Sequence, residues 1–138
     1  MSLVIDSSMT LAWCFEDERT EASLAVLKHV ADAGAVVPDL WHLEVLSGLQ
    51  AAVRRGRIDS AYRDASLADL QSLAVTVDSG THRQAWSATR GLCDRFGLTP
   101  YDAAYLELAQ RRQLPLATLD AALARAARAD NIPLIGVL

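Results

Sequence analysis

The chain has 138 residues, of which 51% are hydrophobic and 22% charged, with 13 Lys and Arg against 17 Asp and Glu for a net charge of −4. That length predicts one domain over residues 1–138 that buries its own core without a disulfide or metal staple, and the composition excludes a disordered chain. No apolar run approaches the ~20 residues needed to cross a bilayer. The N-terminus, Met1 to Asp6, has no basic n-region or cleavage pattern. Cys14 and Cys93 lack CxxC spacing and form no zinc signature with His29, His42 and His82. The expectation is a cytoplasmic protein with no membrane partner, whose cysteines are reduced and pack as small hydrophobes. At −4, a nucleic-acid partner would have to be held by local basic patches or by metal ions.

Residues 2–6 read as a short buried strand ending in an acid, Asp6. Ser7 and Ser8 are predicted to cap a helix over Met9–Phe15. The acidic run Glu16-Asp17-Glu18 precedes a helix over 19–33 with an apolar stripe, stopped by Gly34. Residues 35–38 are a second strand. Asp39 is predicted to cap a helix over 40–55, closed by Gly56. A helix over 59–73, a strand over 74–78 and a helix over 81–96 ended by Gly97 follow. Thr99 and Pro100 give the strongest helix start in the chain, for 100–112. A strand at 115–119, a helix at 121–129 and a strand at 133–137 complete it. Short apolar strands separated by helices predict an α/β fold of three layers, with a mostly parallel central sheet of about five short strands and helices on both faces. Ligands in such sheets sit beyond the carboxyl ends of the strands, near the switch in strand order.

Four acids have unusual settings there. Asp6 and Asp120 end the first and fourth strands, Glu44 lies on an apolar, small-residue helix face, and Asp102 lies in the first turn after Thr99-Pro100. Each has an innocent reading. Asp6 and Asp120 are suited to cap the helices that follow them, Asp102 mimics a capping box, and Glu44 would serve as a solvated edge residue. Asp39, Asp59, Asp78 and the 16–18 run read as caps or solvated charge. Taken together, four acids at one edge would repel, each pair by about 4 kcal/mol at ~4 Å and an effective dielectric of ~20. Protons or divalent cations must compensate such a cluster. All-oxygen ligation selects Mg²⁺ or Mn²⁺ over zinc, and such ions suit phosphodiester hydrolysis by in-line water.

The order and spacing of four segments carry a resemblance: Val4-Ile5-Asp6-Ser7-Ser8, Val37-Pro38-Asp39-Leu40 with Glu44-Val45-Leu46, Leu98 to Ala109 around Asp102, and Leu116-Ala117-Thr118-Leu119-Asp120. Over nearly its whole length the chain resembles PIN-domain ribonucleases of the VapC toxin type. The resemblance implies a Mg²⁺-dependent endoribonuclease, with Mn²⁺ able to substitute, in which Asp6, Glu44, Asp102 and Asp120 are the four acids and Asp6 and Asp102 the direct ligands. It implies that Ser8 and Thr118 support the first and last acids. It also implies an RNA substrate, a homodimer, and a small VapB-like antitoxin that blocks the site with a basic side chain. Two departures stand out. Ser47 occupies a position where such proteins often have Asn, and no further acid follows Asp120 within residues 121–124, which puts a second metal in doubt.

Arg54, Arg55 and Arg57, the pair Arg111 and Arg112, and Arg125 with Arg128 are candidates for gripping RNA or else solvated helix-end charge. Trp13, Trp41 and Trp86 are candidates for stacking on unpaired bases or else core residues, and their helical spacing favours the core. A phosphatase or phospho-acceptor domain on a similar sheet is the alternative. It is disfavoured because Ser8 stands where a second Asp is needed and the sole lysine, Lys28, comes early. A non-catalytic module with a decayed site is disfavoured because all four acids remain.

Overall fold

Leu3-Val4-Ile5 carries no polar side chain and is fully buried, so it occupies the interior of the sheet, where both faces are covered. The computed structural model describes residues 1–136. Its strands are β1 (Leu3–Ile5), β2 (Ala35–Pro38), β3 (Val75–Asp78) and β4 (Leu116–Ala117), all parallel in the order β3-β2-β1-β4. The chain therefore winds one way from β1 to β3, then returns to the other side of β1. The reversal between β1 and β4 is the crevice where parallel sheets hold ligands.

The predicted fifth strand reduces to one isolated bridge, Leu134 beside Leu116. Val137, its last predicted residue, lies outside the described residues. With Pro133 supplying no N–H, and Gly136 at φ +74°, the segment cannot continue a ladder there.

The helices are α1 (Ser7–Cys14), α2 (Glu21–Ala33), α3 (Trp41–Arg54), α4 (Ser60–Gln71), α5 (Thr81–Gln84), α6 (Arg90–Phe96), α7 (Pro100–Arg112) and α8 (Ala121–Ala129). Three starts differ from expectation. Asp6, not Ser7 or Ser8, is the N-cap of α1, accepting from Met9 N–H. The position before α3 is Leu40, with no side-chain cap, so Asp39 is not the cap of this helix. Glu16–Glu18 forms a 3₁₀ turn, and α2 begins after a capping box between Thr20 and Ser23. The predicted helix over 81–96 is interrupted by a π turn, Ala85–Thr89.

Helix α7 is buried from Ala103 to Ala109 and lies across β1, β2 and β4. Helix α1 packs on α2 and α3. Gly48 makes the close approach of α3 possible, since a Cβ there would stand 2.4 Å from Leu11 of α1. Trp13 and Trp41 are core residues as expected, their indoles donating to Ser23 O and Thr10 Oγ1. Trp86 is not: it is 91% exposed, on the π turn. Cys14 is buried and Cys93 half-buried, both as thiols. Among the described residues no helix is long and apolar enough to cross a membrane.

Candidate active site

The β1–β4 register builds the centre of the site. Val4 pairs with Leu116 and Ile5 with Ala117, so the next residues, Asp6 and Thr118, leave the sheet side by side. The Thr118 hydroxyl donates to Asp6 Oδ2. The Ser8 hydroxyl lies 2.8 and 2.9 Å from the two Asp6 oxygens and 3.3 Å from Thr118 Oγ1. Met9 N–H donates to Asp6 Oδ1 at 2.9 Å. Two backbone N–H groups close the crevice, from Leu119 to Ser8 Oγ at 2.9 Å and from Asp120 to Thr118 Oγ1 at 3.0 Å. Ser8 and Thr118 thus hold the Asp6 carboxylate and stitch α1 to the end of β4.

Asp6 is 3% exposed. Burial raises its pKa to about 6 against the lowering effects of Thr118, Met9 and Ser8, and the charge of Asp102 adds to the rise. Asp102, half-buried in the first turn of α7, has its backbone N–H bound by Thr99 Oγ1 at 3.2 Å. Its carboxyl is also raised, first by burial, then by the charges of Asp120 and Glu44. The four acids therefore form one electrostatic group with Asp102 at its centre. Asp120 also caps α8, accepting from Leu123 N–H at 2.8 Å. The capping readings of Asp6 and Asp120 hold alongside their membership of the group.

Glu44 comes in from α3, where its Oε1 accepts from the Tyr105 hydroxyl at 2.7 Å. Tyr105 is fully buried, and burial together with Glu44 holds its hydroxyl protonated, well above the usual range. Tyr105 stands out from no local pattern in the sequence. The available signal was its place three residues after Asp102, on the same face of α7. Ser47 is exposed on α3.

No Lys, Arg or His pairs with any of the four acids among the described residues. No three His, Cys, Asp or Glu side chains among those residues stand close enough to enclose an ion by themselves. A site of one or two carboxylates completed by water is the pattern of Mg²⁺, which dehydrates reluctantly. The donor set is all oxygen, carries uncompensated charge and includes a desolvated carboxyl, so it suits a hard divalent cation.

Asp78, expected to be a cap or solvated charge, is instead buried at the end of β3. Arg111 and Arg112 hold it, at 2.8 Å each. Arg111 also pairs with buried Glu107 at 2.7 Å. Both arginines are therefore engaged within the fold. Arg57 is likewise engaged, by Asp17 and Glu18 and over the Phe15 ring.

Residues 3–129 match the model of the PIN domain. The chain belongs to the PIN-domain family. Among relatives of this PIN domain, Ribonuclease VapC3 of Mycobacterium tuberculosis is 38% identical over 104 residues, 74% of this chain and 72% of the relative. Ribonuclease VapC3 of Pyrobaculum aerophilum is 28% identical over 124 residues, 90% of this chain and 93% of the relative. The PIN domain is thus of the VapC ribonuclease type. Its fold is shared with a solved Pyrobaculum aerophilum protein at TM-score 0.70 and 22% identity, over 97% of this chain and 83% of that one. It is shared with Mycobacterium tuberculosis VapC20, described as a sarcin-ricin loop cleaving toxin, at TM-score 0.65 and 17% identity over 91% and 95%. It is also shared with VapBC2 of Rickettsia felis bound to promoter DNA, at TM-score 0.64 and 15% identity, over 97% of both chains.

Proposed function

We propose that this PIN domain is a Mg²⁺-dependent endoribonuclease that acts as the toxin of a type II toxin–antitoxin pair, with Mn²⁺ able to replace Mg²⁺. The observation that carries the reading is the group of four uncompensated acids at the β1–β4 switch point, beside a carboxyl held by two hydroxyls. Asp6 and Asp102 would hold the cation, with Glu44 and Asp120 completing the negative wall. When bound, the ion supplies charge neutralisation at a phosphate oxygen and a lowered pKa for a water.

The chain's own residues do the rest. Ser8 and Thr118 fix the Asp6 carboxylate so that it need not reorganise as charge develops. Tyr105 fixes Glu44, leaving its second oxygen free to orient a water or a ribose hydroxyl. Asp120, anchored by Leu123 N–H and Thr118, closes the far side.

The names of the relatives support RNA as substrate, and the VapBC complex of Rickettsia felis supports a small VapB-like antitoxin as partner. We place the protein in the cytoplasm as a homodimer. The test is incubation with single-stranded and hairpin RNA. Cleavage is expected in Mg²⁺ and Mn²⁺ and is expected to stop in EDTA; cleavage that survives exhaustive chelation defeats the metal mechanism. Co-expression with the neighbouring reading frame should yield a complex in which cleavage is silenced.

A further inference from the structure

Three helices at the site start from a side-chain cap: Asp6 caps α1, Thr99 caps α7 and Asp120 caps α8. Helix α3, which carries Glu44 in its first turn, has none. An uncapped start leaves backbone donors without partners and the first turn free to fray. Glu44 also feels the like charge of Asp102, which pushes the two acids apart. Some other contact must therefore fix where α3 begins.

Trp41, the first residue of α3, supplies it. Its indole N–H donates to Thr10 Oγ1 at 3.0 Å, and the Thr10 hydroxyl donates to the backbone carbonyl of Asp6 at 2.8 Å. That carbonyl also accepts from Thr10 N–H, at the longer distance of 3.3 Å. A threonine bonded to the carbonyl four residues back is ordinary within a helix. An indole from a second helix seated on its hydroxyl is not. The hydroxyl has one proton, committed to Asp6, so a lone pair meets the indole and the chain runs one way, from indole to hydroxyl to carbonyl. Trp41 and Thr10 are buried like Asp6, so no water competes and the aligned bonds strengthen one another. Two turns along α3, Gly48 packs against Leu11 of the same helix α1. One contact leaves a helix free to pivot, and the Trp41 bond holds the end that carries Glu44.

The bridge completes a frame around the acids. Asp6 and the Asp120 N–H share the Thr118 hydroxyl. Glu44 is tied through Tyr105 to α7, the helix of Asp102. Trp41 and Thr10 provide the remaining link, from the helix of Glu44 to the backbone of Asp6. We propose that Trp41, acting through Thr10, is a positioning residue that sets the separation of Glu44 from Asp6 and so the fit of the acids to a divalent cation. It touches neither the cation nor RNA. The role rests on the metal-dependent reading of the four acids for what the site holds.

The test uses Mn²⁺ as the probe. Its binding is read by electron paramagnetic resonance of the free ion without RNA, and the Mg²⁺ dependence of RNA cleavage is read alongside. Trp41→Phe keeps an aromatic ring and loses the donor. Thr10→Val keeps the shape and loses the hydroxyl, and Thr10→Ser keeps the hydroxyl. Trp13→Phe is the control, because the Trp13 indole is also buried and donates to Ser23 O at 2.8 Å, on α2 and outside the group of acids. Trp41→Phe and Thr10→Val are each expected to weaken Mn²⁺ binding about fivefold, short of the loss typical when a group bonded directly to a ligand is removed. The Mg²⁺ needed for half-maximal cleavage should rise by a similar factor. Thr10→Ser and Trp13→Phe should bind Mn²⁺ within about twofold of wild type, although Trp13→Phe lowers the melting temperature as Trp41→Phe does. The double variant should bind no more weakly than the weaker single one, since both break one bridge. Trp41→Phe and Thr10→Val that bind Mn²⁺ as tightly as wild type overturn the role. So does an equal loss in Trp13→Phe or Thr10→Ser, by assigning the effect to packing, and so does wild type that binds no Mn²⁺. If Trp41→Phe does not fold, the two Thr10 variants decide alone. Mn²⁺ binding that follows this pattern in a protein that never cuts RNA removes the ribonuclease reading and leaves the positioning role. Metal-dependent cutting that is the same in wild type, Trp41→Phe and Thr10→Val removes the positioning role and leaves the ribonuclease.

Discussion

Two sets of carboxylates in this molecule have opposite surroundings. Asp6, Glu44 and Asp120 each couple electrostatically to Asp102 with no cationic partner among the described residues, and the carboxyls of Asp6 and Asp102 are pushed upward. Asp78 and Glu107 are as buried as Asp6 but are held by Arg111 and Arg112, and Arg111 beside Asp78 holds that carboxyl well below the usual range. Helix α7 contributes to both, with Asp102 at its first turn and Glu107, Arg111 and Arg112 further along. The difference separates acids neutralised within the fold from acids whose charge no residue of the fold neutralises. Where an arginine fork is present the charge is already spent on folding; where it is absent the charge remains available to a ligand.

The largest test of that contrast is Asp102→Asn, expected to lower RNA cleavage at least a thousandfold, read on gels in Mg²⁺, while melting no lower than wild type without metal. A clearly lower melting temperature would place Asp102 with the folding acids. Asp78→Asn should do the reverse. Arg111 keeps Glu107 but both arginines lose the charge of buried Asp78, which should cost about 2 kcal/mol in urea unfolding, with cleavage per folded molecule within about threefold of wild type.

The pH dependence sharpens the comparison. The Asp6 carboxyl is raised from 3.8 to about 6 in the folded protein, so its neutral form favours folding. That contribution is fully present below about pH 4 and is lost as pH rises through 6. The metal-free wild type should therefore gain stability relative to Asp6→Asn as pH falls from 7 to 4, by up to about 3 kcal/mol for a shift of this size. Asp78 has the opposite sign: its stabilisation is present above about pH 4 and fades only as pH falls further. A wild-type/Asp6→Asn difference that stays flat from pH 7 to 4 would show that Asp6 is not desolvated. The smallest effect is expected for Tyr105→Phe, which frees Glu44 without removing its charge. Cleavage should fall about tenfold, with most of the loss recovered at higher Mg²⁺.

Much of the site was legible because each acid sits where a local pattern changes. Asp6 and Asp120 follow apolar strands, Asp102 follows Thr99-Pro100, and Glu44 interrupts an apolar face. The parallel sheet was legible for the same reason, from buried runs too short to be helices. What was not legible depends on partners distant in sequence. Arg111 and Arg112 read as RNA grips or solvated helix-end charge because nothing local announces Asp78 some thirty residues earlier. Asp78 read as a cap because it ends a strand, as Asp6 does. Trp86 read as core because helical spacing assumes a regular helix, and the π turn rotates it outward. The fifth strand failed at Gly136 and Pro133, where backbone chemistry outweighed the apolar character of Leu134 and Ile135.

The hydroxyl of Thr118 reaches back across 112 positions to Asp6. The first acid is made at the start of synthesis, but its cradle arrives only when β4 docks beside β1. Contacts of such long sequence separation form late in folding. A nascent chain that has not yet delivered Thr118 from the ribosome therefore holds Asp6 without the hydroxyl that fixes its carboxylate in the folded protein.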